Sequence, residues 1–141
     1  MTTKLRITLH DLRHDGIRFT IGGGYCLRRI RQFHDIDVSV HPDDWPLLLA
    51  KLPGGREVRF PLGEPESYIT HYTLRFLGEK SLDFWCGSVI PGYEYGGPLV
   101  RLNVIDGISE WTEETALEFK KGTAALGVEK DARFLQSIGI E

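Results

Sequence analysis

The chain predicts one α/β (α+β) domain, a mixed sheet of about five strands flanked by helices. Three observations carry this expectation. The 141 residues are 41% apolar and 26% charged, which is ordinary for a single globular unit. Several short segments alternate apolar and polar residues, as half-buried strands do. Others repeat apolar residues every three or four positions, as amphipathic helices do.

In chain order, Leu5, Leu9 and Leu12 predict a helix that ends at Asp15-Gly16. Ile17, Phe19 and Ile21 then alternate as a strand running into Gly22-Gly23-Gly24, and Tyr25 to Ile30 fits a turn or two of helix. Asp35 to Val40 reads as a second strand. His41-Pro42-Asp43-Asp44 opens a helix that Asp43 or Asp44 can cap, with Trp45, Leu48, Leu49 and Leu52 on its apolar face and Pro46 tolerated in the first turn. Glu57 to Phe60 predicts a short strand. Tyr68 to Leu77 and Ser81 to Cys86 form the best hairpin candidate, turning at Gly78-Glu79-Lys80. Gly87 to Pro98 is a Gly-, Pro- and Tyr-rich loop, Leu99 to Val104 a strand ending before Asp106-Gly107. Two helices close the chain: one from Thr112 with Leu117, Lys121, Ala124 and Val128 on one stripe, the other over Lys130 to Ile138. No repeat, low-complexity tract or linker divides the sequence.

No apolar run reaches the length of a membrane span, and Met1-Thr2-Thr3-Lys4 leads into a periodic helix instead of a signal-peptide block. A cytoplasmic protein with no membrane partner is the expectation. Cys26 and Cys86 are far apart and lack ligand-spaced neighbours, so they read as buried small hydrophobes and not as a zinc site or disulfide. A net charge of -3 argues against general DNA binding, while Arg28, Arg29 and Arg31 form a local basic patch able to take an anion.

The chemistry concentrates where a glycine bend meets paired carboxylates. Backbone N–H groups approach phosphate oxygens closely only where side chains are absent, which suits Gly22, Gly23 and Gly24 to the phosphates of a nucleoside triphosphate. Asp35 and Asp37 fall on the same face of their strand, about 7 Å apart, while Ile36 and Val38 face the core. Two such carboxylates repel each other unless a cation neutralises them, and a divalent metal resolves this. Asp83, a charge in mid-strand, is the third carboxylate that two-metal chemistry wants, and it also suits the role of proton acceptor for an attacking hydroxyl. Trp85 shares the face of Asp83 and fits either a platform for a nucleobase or acceptor, or a core tryptophan. Tyr93 and Tyr95 are candidates for a cover over the acceptor. His34, His41 and His71 have no partner that the sequence identifies and stay outside the site.

The pattern from Ile21 to Val38, apolar-Gly-Gly, a gap of roughly ten residues, then Asp-apolar-Asp-apolar, resembles the signature of the nucleotidyltransferase superfamily. That group includes polymerase-beta-like enzymes, minimal nucleotidyltransferases, antibiotic-modifying adenylyltransferases and toxin–antitoxin proteins. Arg31 is similar to the Arg of an Arg-x-Thr-x-Asp-apolar-Asp variant, with Phe33 in place of Thr. Lys120 or Lys121, followed by Lys130-Asp131, resembles a C-terminal lysine and Lys-Asp pair, though Phe134 stands where a second acid belongs. Bottom-up, Lys121 lies on the apolar stripe, from which it either turns toward the triphosphate or snorkels at a helix edge.

The resemblance implies one nucleotidyltransferase-like domain over residues 1–141. Its enzyme would move a nucleoside monophosphate from a nucleoside triphosphate to a hydroxyl acceptor, whether small molecule, protein or RNA. Catalysis and two Mg²⁺ or Mn²⁺ ions would rest on Asp35, Asp37 and Asp83, and nucleotide binding on Gly22, Gly23, Gly24, Arg31 and Lys121. It also admits a toxin–antitoxin partner. The alternative is a non-catalytic nucleotide-binding or protein-interaction module on the same fold.

Overall fold

A computed structural model of the protein describes residues 1–61, 68–75 and 80–140. Helix α1 spans Thr3–His14. Thr2 caps it by accepting the Leu5 N–H, and Leu5, Leu9 and Leu12 are its buried face. Strand β1 (Phe19–Gly22) runs into a 3-10 turn, Gly23–Leu27, and β2 covers Ile36–Val40. A second short 3-10 turn, Pro42–Asp44, leads into α2 (Trp45–Lys51), with Pro46 in the first turn. Strands β3 (Arg56–Pro61), β4 (Tyr68–Leu74) and β5 (Leu82–Cys86) follow. The chain closes with the hairpin β6 (Leu102–Ile105) and β7 (Ile108–Trp111), then α3 (Glu113–Ala125) and α4 (Glu129–Ser137).

Among the described residues the strands form one seven-stranded mixed sheet ordered β3-β4-β5-β2-β1-β7-β6. This is wider than the expected five strands. Six strand segments are predicted along the chain; the strand that matches none of them is β7, and it lies beside β1 in parallel. Strand β2 occupies the centre, antiparallel to β1 and parallel to β5. Strands β4 and β5 pair antiparallel as the hairpin expectation had it, while residues 76–79, including most of the expected turn, lie outside the described residues.

Ile21, Ile36, Val38, Val40, Leu82 and Phe84 join Leu5, Leu9 and Leu12 of α1 in one apolar core. Because strand side chains alternate, the residues between them emerge on the opposite face. That second face carries Asp37, Asp83 and Trp85, and the core thereby fixes where the polar groups point.

Asp43 and Asp44 do not cap α2. The His41 Nδ1 accepts the Asp43 N–H at 3.1 Å, and Asp44 Oδ2 instead takes the backbone N–H and Nε of Arg18, each at 2.9 Å. Side-chain and backbone bonds from Arg18 hold the Asp44 carboxyl down at about 2, from an ordinary 3.8. The ionised form is favoured by folding, so this contribution to stability is present above about pH 4 and is lost as pH falls toward 2. A carboxyl NMR titration is expected to give Asp44 a midpoint near that value, returning toward 4 in Arg18→Gln.

Candidate functional site

The site forms where β1, β2 and β5 run side by side. Gly22 is the register partner of Asp37, and Asp37 in turn lies directly opposite Asp83 on the parallel strand β5. The two carboxylates are thus immediate cross-strand neighbours, a like-charge arrangement that is unfavourable without compensation. Asp35 precedes β2 and is exposed.

The glycines of the bend serve different ends. Gly23 adopts φ +66°, and a Cβ placed there would stand 2.3 Å from Asp37 Oδ2. Gly22 lies under the Trp111 indole, where a Cβ would meet Cε2 at 2.7 Å. Gly24 is half-exposed, with open space beside it. The expected uniform phosphate cradle is therefore corrected: one glycine is roofed by an indole, one abuts the carboxylate and one faces outward.

Asp37 Oδ1 accepts the Trp85 indole N–H at 3.0 Å. Burial, followed by repulsion from Asp83, nevertheless pushes the Asp37 carboxyl up to about 6; the Trp85 bond, Lys120 and His71 only partly oppose this. Ser81 links the other two acids. Its hydroxyl lies 2.6 Å from Asp35 Oδ1 and 3.3 Å from Asp83 Oδ1, and having one hydrogen to give it serves the nearer Asp35. Among the described residues no group of three His, Cys, Asp or Glu side chains converges as a ready-made metal cage.

Gly22, Gly23, Asp37 and Trp85 line a cavity of about 100 Å³ whose remaining walls include Trp111 and Phe119. The Trp111 Nε1 is buried without a hydrogen-bond partner. Tyr93 is packed edge-on against Phe119, with ring centres 5.1 Å apart, so it is a wall and not a cover. Tyr95 lies against His41.

His71, set aside on sequence grounds, belongs to this face. It stacks on Trp85 with ring centres 4.1 Å apart, and its Nε2 stands 3.6 Å from Asp83 Oδ1. The signal that could have found it is register: antiparallel β4 and β5 set His71 opposite Trp85 and Thr73 opposite Asp83. Ser81 was legible as the residue two before Asp83, on the same face.

No protein-family model, curated protein or solved structure matches this chain. Its chemistry has to be read from its own residues.

The basic patch is consumed internally. Arg28 makes a two-pronged bond to Glu110 at 3.0 and 2.8 Å, Arg29 pairs with Glu113, and Arg31 lies over the Phe134 ring at 4.4 Å. Arg31 thus stands over α4 instead of being held for an anion. Lys121 is also corrected. It is exposed and pairs with Glu118 at 2.8 Å, whereas Lys120 turns inward to Asp131 at 3.2 Å. Asp131 is buried and takes a second bond from Thr123 Oγ1 at 2.5 Å. Cys26 is buried, its thiol pushed up to about 12, chiefly by burial; Cys86 is only half-buried.

Lys121→Met is expected to change stability by less than about 0.5 kcal/mol. Lys120→Met strands the Asp131 charge and is expected to cost about 2 kcal/mol. Parallel urea melts of the two variants check this pair.

Proposed function

We propose that this protein is a Mg²⁺- or Mn²⁺-dependent nucleotidyltransferase that binds a nucleoside triphosphate beside Asp37 and passes its nucleoside monophosphate to a hydroxyl acceptor. The observation that carries the reading is the direct cross-strand pairing of Asp37 with Asp83, next to a bend whose Gly23 leaves no room for a side chain. Neighbouring carboxylates with one acid pushed up to about 6 are a donor set short of positive charge. That fits a divalent cation, which commonly takes one or two carboxylates and completes its shell with phosphate and water.

Asp37 and Asp83 would hold the cation, and Asp35, whose Oδ1 takes the Ser81 hydroxyl, would join through its other oxygen. When bound, the cation offsets charge on the phosphates and on the attacking oxygen. Gly24, the glycine of the bend with open space beside it, would let a phosphate oxygen approach the backbone. Asp83 would accept the proton of the acceptor hydroxyl, with His71 beside it to spread the charge. Lys120, already felt electrostatically at Asp37, would temper the negative potential from the α3 side.

The Ser81-bonded Asp35, and Phe134 in the place of an acid, favour a second reading: a module that binds nucleotide without turnover. Melting curves with Mg²⁺ and each nucleoside triphosphate, alongside pyrophosphate release with labelled triphosphates, separate the two. Occupancy at a hundred times Kd adds about 2.7 kcal/mol to stability, and Asp83→Asn is expected to abolish that gain. A Mg²⁺-dependent gain without pyrophosphate release favours the module. No gain with any triphosphate refutes both.

A further inference from the structure

The two edges of the sheet are finished differently. Strand β3 presents Arg56, Glu57 and Arg59 and ends in Pro61, residues that keep an edge from pairing with another chain. Strand β6, at the opposite edge, has neither charge nor proline across Leu102-Asn103-Val104-Ile105. Its Leu102, Val104 and Ile105 are 47%, 70% and 45% exposed. One exposed aliphatic residue is ordinary; three in a row of four on an unguarded edge call for a partner.

The backbone says which groups are free to pair. Ile105 faces Ile108 across Asp106-Gly107, and the Thr112 N–H donates to the Arg101 carbonyl at 2.9 Å. Residues 101, 103 and 105 therefore spend their backbone groups on β7, and the alternation of an antiparallel ladder turns those of Leu102 and Val104 outward.

We propose that β6 is a homotypic interface, pairing antiparallel with β6 of a second copy about a two-fold axis at Asn103. In this register Leu102 and Val104 of one copy exchange N–H···O=C bonds with Val104 and Leu102 of the other, using the outward groups. The same pairs set aliphatic side chains against each other on one face, and the two Asn103 side chains meet on the other. A two-fold normal to the sheet requires residues of one face to meet their own kind, which this register satisfies. The charges are compatible as well: exposed Arg101 at the start of one strand comes beside the end of the other, next to Asp106, whose 67% exposed side chain also stands 3.6 Å from Arg6 Nη1 of its own chain. So short a strand buries less than a standard interface, and the association is reversible on dilution.

Sedimentation equilibrium over a dilution series is expected to show the mass rising from the 16.0 kDa of one chain toward twice that value. Val104→Pro removes an outward N–H that β7 does not use and is expected to hold the protein at one chain mass at every concentration. Val104→Lys is the second variant should proline disturb folding, and Val58→Lys on β3 should leave the dimer intact. In a Cys86→Ser background, Asn103→Cys sits at the axis as a non-hydrogen-bonded pair, about 4.5 Å between Cα atoms, within disulfide reach. It is expected to crosslink two copies on oxidation, and Ile105→Cys is not. A wild-type chain that stays at one chain mass throughout overturns the proposal. So does a dimer that survives both Val104 variants, or one crosslinked at residue 105 in preference to 103. None of these readouts depends on nucleotide.

Discussion

Asp37→Asn is expected to stabilise the ligand-free protein near pH 8 while removing its response to Mg²⁺ and nucleotide. The folded chain holds the Asp37 proton to about 6 and the unfolded chain to an ordinary 3.8. The native state thus binds the proton more tightly, and stability falls as pH rises between about 4 and about 6. Above that window the ionised carboxylate costs up to about 3 kcal/mol. Asp37 keeps a partly exposed surface on the cavity, so the realised penalty is about half of that.

Asparagine fills the same space without ionising. Its melting temperature is expected to exceed that of the wild type by roughly 3–6 °C near pH 8, the two curves converging below about pH 4. In the wild type, binding of Mg²⁺ with nucleotide is expected to weaken as pH drops through about 6, because proton and cation compete for one carboxylate. Equal melting temperatures at pH 8, or wild-type stability flat across the window, would contradict the account. Since burial alone predicts the ligand-free gain, the response to nucleotide is what tells an enzyme or binding module from a domain with no ligand.

Gly23→Ala is expected to be strongly destabilising. A side chain at φ +66° costs about 1–2 kcal/mol in itself, and the new methyl would stand 2.3 Å from Asp37 Oδ2. Asp37 cannot swing away freely, because the Trp85 N–H holds its other oxygen. A total loss of about 3–4 kcal/mol is expected, or a melting temperature lower by roughly 10 °C. Gly24→Ala, with open space beside it, serves as the matched control and should stay within about 1 kcal/mol. If the two alanines melt alike, the close approach of the bend to Asp37 has no energetic weight.

The regular elements were legible where local pattern and burial agree. Leu5, Leu9 and Leu12 announce α1, and the alternation of Ile36, Val38 and Val40 announces β2 and with it the outward face of Asp37. The two strands that carry the carboxylates were legible, but not that they are neighbours; the register puts Asp83 beside Asp37. What escaped depends on partners distant in the chain. Strand β7 carries Glu110, which looks like a surface residue until the two-pronged bond to Arg28 is known. The same pairing removes Arg28 from the anion patch it suggested. On α3 the aliphatic stripe through Leu117 and Lys121 misplaced the inner face, because its buried positions are Thr115, Ala116 and Thr123. Their hydroxyls are satisfied by Thr112 and Asp131, and no hydropathy pattern reports that.

The bond from the Trp85 indole to Asp37 has a practical corollary. An indole whose N–H touches the carboxylate that gains or loses charge should change the colour and yield of its emission when that charge changes. The protein therefore carries its own optical reporter, and a fluorimeter with unlabelled material is expected to follow protonation of Asp37 in real time.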